Sequence, residues 1–185
     1  MKEKILNSLE ISPVIAAVKD KNFTDALNCP CEIIFLLGGN VLSVEQRVKS
    51  AHESSKFIFV HIDLTDGISK DKYGVEFLSK CGADGIISTR TPIIKAAKEL
   101  NLIAVQRFFV YDSQGVANIE EVLSSSASDI IEIMPGIMGK IIEKFSRFST
   151  PLIVGGLIET KQEVTDALKL GACAVSTGKR ELWYL

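Results

Sequence analysis

The sequence predicts a compact (β/α)8 barrel of the TIM type with a short final helix, and three observations carry that expectation. Eight short apolar runs recur about every 20–25 residues, at 13–19, 32–39, 57–64, 85–90, 103–110, 129–136, 151–156 and 172–178. These runs are rich in Val and Ile and do not alternate with polar residues, the pattern of strands buried on both faces. Helix-like segments separate most of them. Strand–helix alternation implies a parallel sheet, and eight repeats imply a closed one. The 185 residues read as one domain, 1–185. Barrels of this kind usually take about 250 residues, so the helices here must be short.

Each element follows in order. Ile5, Leu6 and Leu9 fit a short helix that would plug the N-terminal end of the barrel. The first crossover, residues 20–30, has room for one small helix, capped by Asn22 or Thr24. Ser43-Val-Glu-Gln opens the next as a capping box, and His52 lies in that helix as a structural residue. Residues 71–81 place Tyr73, Val75, Phe77 and Leu78 on an amphipathic helix before Gly82. Pro92 sits in a first turn, with Ile93, Ala96, Ala97 and Leu100 following at helical spacing. Asn118 is expected to cap a helix through Leu123, with Ser124, Ser125 and Ser126 as a turn or its frayed end. Residues 137–148 and 161–170 complete the set, the last stopping at Gly171. Only seven residues, 179–185, follow the eighth run. The barrel wall near strands 8 and 1 is therefore expected to be thinly covered. Trp183 and Leu185 would cover it, or a second subunit would, which favours a homodimer.

Composition excludes several classes. A formal net charge of −2 offers no global basic field for nucleic acid or anionic membrane. No apolar run approaches the roughly 20 residues of a membrane helix, and no apolar stretch of the signal-peptide kind follows the basic start. A cytoplasmic location is expected, with Cys29, Cys31, Cys81 and Cys173 reduced. Cys29-Pro30-Cys31 lacks the usual spacing of half a metal site and has no second pair nearby. Neither a metal nor a cofactor is expected.

Barrel chemistry sits at the C-terminal mouth, on strand ends and the loops after them. Polar residues gather there: Lys19, His61, Asp63, Arg90, Arg107 and Glu132 head the set. Burying such groups is costly unless they face a ligand or one another. Asp63 or Glu132 pairing with Arg90 or Arg107 is the internal alternative. The sharper signal is the last quarter, Val154-Gly155-Gly156-Leu157 and Ala174-Val175-Ser176-Thr177-Gly178. Barrels commonly hold a phosphate between the loops after strands 7 and 8. Glycine admits an anion close to backbone N–H groups, and hydroxyls complete its shell. Gly155, Gly156, Ser176, Thr177 and Gly178 are thus the candidate phosphate cradle, with Lys179 or Arg180 adding charge.

Catalytic signals are weaker. Lys19 suits a Schiff base or an anion contact. His61 and Asp63 alternate on strand 3 and would point the same way, for acid–base work or a metal. Glu132 would serve as a base. No recognisable nucleophile–base pair accompanies them, so the pocket suits a sensor as well as an enzyme.

A set of strand-end motifs runs through the chain: Pro13-Val-Ile-Ala-Ala-Val-Lys19, Phe35-Leu-Leu-Gly-Gly-Asn40, Phe59-Val-His-Ile-Asp-Leu64 and Gly74-Val-Glu-Phe-Leu78. It continues through Asp84-Gly-Ile-Ile-Ser-Thr-Arg90, Gln106-Arg107, Glu132, Met134-Pro-Gly136, Gly155-Gly-Leu-Ile158, Ala174-Val-Ser-Thr177 and Leu182-Trp183. Together these motifs resemble the glycerol-3-phosphate-responsive antiterminators of bacterial glycerol-uptake operons. The likeness covers nearly the whole chain. The resemblance implies a regulator, not an enzyme, that binds glycerol 3-phosphate at the mouth. It would act on leader mRNA so that transcription passes a terminator. Gly155, Gly156, Ser176 and Thr177 would hold the phosphate. Lys19, Asp63, Arg90, Arg107 and Glu132 would serve the glycerol hydroxyls or support them.

For the RNA, Lys140, Lys144 and Arg147 fall at i, i+4 and i+7 and make one basic stripe. A solvated helix face reads the same way. The competing function is an isomerase or aldolase acting on a small phosphorylated metabolite through Lys19 or Glu132. Residues 65–72, with Gly67 as hinge, are the segment expected to close over the mouth.

Overall fold

The computed structural model describes residues 2–125 and 128–185. It is a closed, all-parallel eight-stranded barrel in sequential order. The strands are β1 (Val14–Val18), β2 (Ile33–Leu36), β3 (Phe57–His61), β4 (Gly85–Ser88), β5 (Ile103–Phe109), β6 (Ile130–Met134), β7 (Leu152–Gly155) and β8 (Ala174–Thr177). The ring closes where Ile15 registers with Ser176. Each strand is shorter than its apolar run, because the polar and glycine ends of the runs turn into loops at the mouth. Helices α1 (Lys2–Ile11), α2 (Phe23–Asn28), α3 (Val44–Glu53), α4 (Lys72–Lys80), α5 (Thr91–Glu99), α6 (Ser113–Ser125), α7 (Gly139–Phe145) and α8 (Lys161–Lys169) complete it. Among the described residues, no helix is long and apolar enough to cross a membrane.

Strand periodicity divides the apolar residues into two cores. Ile15, Ile33, Phe35, Phe59, Ile87, Val105, Ile130 and Ile153 fill the barrel. Their neighbours, such as Ile34, Val60, Ile86, Ile131 and Val154, face the helices. Ile5 and Leu9 of α1 join the inner core and close the N-terminal end. Lys2 of the same helix reaches Asp129 at 2.6 Å, as does Lys98. Burial pushes the Asp129 carboxyl up, but the two ammonium groups and the Ala104 N–H hold it below its ordinary range. His52 is likewise structural, 2.9 Å from Asp84, which also accepts from the Ile58 N–H.

Several expected boundaries differ, each for a local reason. Ser43 does not form a capping box; its hydroxyl turns back to the Asn40 carbonyl. The formed box is Thr160 with Glu163. α6 begins at Ser113, not after Asn118, because Asp112 accepts from the Gly115 N–H at 2.7 Å and starts the helix earlier. Ser124 and Ser125 belong to α6, while Ser126 lies outside the described residues. α7 begins late because the Gly136 N–H is bound to the Gly155 and Gly156 carbonyls. It ends at Phe145, where the Ser146 hydroxyl takes the Glu143 carbonyl.

The tail forms a 3-10 turn, Arg180–Tyr184. Trp183 is buried, donates Nε1–H to the Thr177 carbonyl at 2.8 Å, and accepts from the Cys31 thiol. Leu182 is buried beside it, whereas Leu185 is half exposed. The tail itself thus covers the wall beside β1 and β8, through Leu182 and Trp183 and not Leu185. Residues 65–72, the segment expected to close over the mouth, are held at several points in this conformation. The Lys70 ammonium binds the Ile62 and Thr65 carbonyls. Asp66 exchanges backbone bonds with Gly39 and Val41 at 2.9 Å each.

Candidate functional site

On β5 the inward positions run Ile103, Val105, Arg107; on β6 they run Ile130, Glu132. The alternation that fills the barrel with aliphatics therefore lifts a cation and an anion into its upper layer. Arg107 Nε lies 2.6 Å from Glu132 Oε2, both side chains buried. The Ser176 hydroxyl donates to the other oxygen, Oε1, at 2.5 Å. Glu132 is thus held from two sides. It is presented as an acceptor within the protein, not as a base aimed at solvent.

His61 and Asp63 do not share a strand face. β3 stops at His61, and residues 62–64 turn as a 3-10 helix. His61 Nδ1 and Asp63 Oδ2 are left 3.9 Å apart, beyond hydrogen-bond reach. Burial, then the Arg107 charge, push His61 down to about 4, so the ring is neutral near pH 7. Asp63 instead organises the end of β4: it accepts from the Ser88 hydroxyl and the Thr89 N–H at 2.9 Å each. Arg90 Nε stands 3.4 Å from its other oxygen, with the guanidinium half exposed at the rim. Among the described residues, Arg107 Nη2, His61 Nδ1 and Asp63 Oδ1 are buried without a hydrogen-bond partner. Groups like these need a ligand or water to offset their burial.

Beside this layer, at the ends of β1, β7 and β8, lies a cleft of about 540 Å³. Lys19, Lys21, Met134, Gly156, Gly178 and Lys179 line it, along with Ser176 and Thr177. Its cations outnumber its carboxylates, the latter represented by Glu159. Arg180 is turned away to Asp25, 2.8 Å distant, so Lys179 is the cation after β8 that faces the cleft. The two hydroxyls are placed as expected but are already committed. Ser176 donates to Glu132, and Thr177 donates to the Ile158 carbonyl while accepting from the Lys179 N–H. In this arrangement neither has a proton left over for a bound ligand. Gly155 is set below the cleft, against Ser176 and Glu132. Sequence reasoning missed Lys21 and Asn22 as lining residues. The available signal was the brevity of the first crossover, which folds residues 20–22 back over the mouth as a 3-10 turn.

The basic stripe is shorter than expected. Lys140 and Lys144 lie on α7, but Arg147 falls beyond its end. Lys144 is 3.0 Å from Glu120. All three remain exposed.

A closed parallel barrel with a polar mouth and a cation-lined cleft beside β7 and β8 defines the class of small (β/α)8 proteins whose sites are built on strand ends. Within that class, the chain belongs to the glycerol-3-phosphate responsive antiterminator family, whose model matches residues 14–183. A glycerol uptake operon antiterminator regulatory protein from Listeria monocytogenes superposes with a TM-score of 0.88 at 33% identity, over 92% of this chain and 94% of that one. An antiterminator-related protein from Thermotoga maritima gives 0.84 at 30% identity, over 93% and 98%. The Escherichia coli K12 protein YgcP, itself uncharacterised, is 35% identical over 98% of this chain and 96% of its own.

Proposed function

We propose that this chain is a cytoplasmic sensor that binds glycerol 3-phosphate at the barrel mouth and, in response, acts on leader mRNA to let transcription pass a terminator. The observation that carries the metabolite half is the adjacency of two features. The cleft between β1, β7 and β8 offers Lys19, Lys179 and glycine backbone to a phosphate. Arg107, joined to the cleft residue Ser176 through Glu132, and His61 each keep a buried nitrogen without a hydrogen-bond partner. Glycerol hydroxyls are donors and acceptors at once and suit that mixed set. A regulator is favoured over a catalyst because Glu132, the best-placed base, is bound on both oxygens by Arg107 and Ser176. The RNA half is supported by family membership.

Calorimetry with glycerol 3-phosphate, plain glycerol and inorganic phosphate tests the first half. Selective binding of the phosphoester without turnover is expected; turnover would make the chain an enzyme, and no binding would remove the cleft assignment. A gel shift with the operon's leader transcript, with and without the metabolite, tests the second.

A further inference from the structure

We propose that the loop after β5, together with the start of α7, is the surface that takes single-stranded RNA, with nucleobases stacking on Tyr111. The inference rests on the RNA reading above and names its site. Phe109 and Tyr111 stack on each other, with centroids 6.2 Å apart and planes 17° from parallel. They are nonetheless 43% and 86% exposed. Beside Tyr111, between α6 and α7, runs a groove of about 540 Å³. Val116, Met138 and Ile141 give it apolar walls, and Lys140 and Lys144 stand along one side. Flat aromatic faces next to lysines are what a single strand requires: bases stack, phosphates meet cations. The acidic groups in the groove are already engaged. Asp112 caps α6 through the Gly115 N–H, and Glu120 pairs with Lys144. Of the exposed charged residues on and just after α7, Lys140, Lys144 and Arg147 are positive and Glu143 is negative.

The position also ties this surface to the metabolite cleft. Phe109 is in register with Met134, a cleft residue, and the Val110 N–H binds the Met134 carbonyl at 2.8 Å. Two residues earlier, the same pair of strands holds Arg107 against Glu132. A change in the cleft therefore has a short route to Tyr111, across one hydrogen bond between β6 and the residue that follows β5 and then one residue along the chain.

The test measures binding of the glycerol-operon leader transcript, and of a short single-stranded oligoribonucleotide cut from it, to the whole chain. Tyr111→Ala and Lys140→Glu are each expected to weaken RNA binding about tenfold, within the range that loss of one stacked base gives. Tyr111→Phe, which keeps the ring, should bind as the parent does. Glycerol 3-phosphate affinity, read by calorimetry without RNA, should match the parent in all three and reports that they fold. Tyr111→Trp adds an optical readout, since Trp183 is buried: its emission should be quenched by the oligoribonucleotide. Parent-like RNA binding by Tyr111→Ala would overturn this surface and leave the sensor reading standing. A parent chain that binds no RNA, with or without the metabolite, would overturn both.

Discussion

Arg107 Nε and Glu132 Oε2 meet at 2.6 Å inside the barrel, and Ser176 of β8 holds the opposite oxygen of that carboxylate. Ser176 also lines the cleft. Among the described residues, the shortest ion pair of the mouth is thus one hydroxyl away from where a ligand would sit. Removing one partner of a buried ion pair strands the other charge, at a cost of about 3–5 kcal/mol. Glu132→Gln should lower unfolding free energy in urea by about 3 kcal/mol and weaken glycerol 3-phosphate binding. Arg107→Met combined with Glu132→Leu should recover much of the stability and none of the binding. A single variant as stable as the parent would show that the pair contributes nothing.

Acid should loosen the fold through His61. Its folded value, about 4, lies below the ordinary 6.5. Between those limits the unfolded chain takes up a proton that the folded chain refuses. The stabilisation is complete above pH 6.5, falls as pH drops, and is gone below about 4. The gap corresponds to about 3 kcal/mol. Urea titrations from pH 7 to 4 should show this slope, and His61→Leu should flatten it.

Two adjacent glycines should respond differently to alanine. A Cβ at Gly155 would lie 2.2 Å from the Ser176 hydroxyl oxygen and 3.0 Å from Glu132 Oε1. Gly155→Ala should therefore break that hydrogen bond, cost about 1–3 kcal/mol and abolish metabolite binding. At Gly156 the nearest atom would be 3.6 Å away, but φ is +73°. Gly156→Ala should cost only the left-handed backbone term, about 1–2 kcal/mol, with binding weakened rather than lost. Equal losses of binding would mean that the Ser176–Glu132 contact is not what the cleft depends on.

Lys19 and Lys179 should act as anion contacts. Lys19→Ala and Lys179→Ala are each expected to raise the Kd for glycerol 3-phosphate about tenfold. Calorimetry at two salt concentrations should show the parent losing affinity with salt more steeply than either variant. Arg180→Ala, whose guanidinium turns to Asp25, should leave the Kd unchanged.

Trp183→Ala should destabilise by about 3–5 kcal/mol, the cost of emptying a fully packed aromatic site. Leu185→Ala should stay within about 0.5 kcal/mol, as exposed positions do. Thermal unfolding of the two variants reads the contrast. If Leu185→Ala were the more damaging, the tail would seal the wall by another contact.

The barrel was legible because it is written in local periodicity. Eight apolar runs, each with its crossover, specify strands whose alternate residues must face inward, and closure follows from their number. The same periodicity brought Lys19, Arg107, Glu132, Gly156, Ser176 and Thr177 to one end of the molecule before any contact was known. Helix ends were less legible. Asp112 and Ser43 show that a capping residue is chosen by which backbone groups come within reach.

Pairing was decided by tertiary structure alone. The sequence offers Arg90 or Arg107 as partners for Asp63 or Glu132 without saying which takes which; nor does its spacing say that Asp63 serves Ser88 and Thr89 instead of His61, or that the Ser176 and Thr177 hydroxyls are spent inside the protein. Such contacts span 19 to 44 residues of chain. They are won by distance and burial in three dimensions, quantities that a period of two or of 3.6 residues does not carry. The sequence determined which groups reach the mouth. Packing determined which of them, His61 Nδ1, Asp63 Oδ1 and Arg107 Nη2, arrive there with hydrogen-bonding capacity unspent.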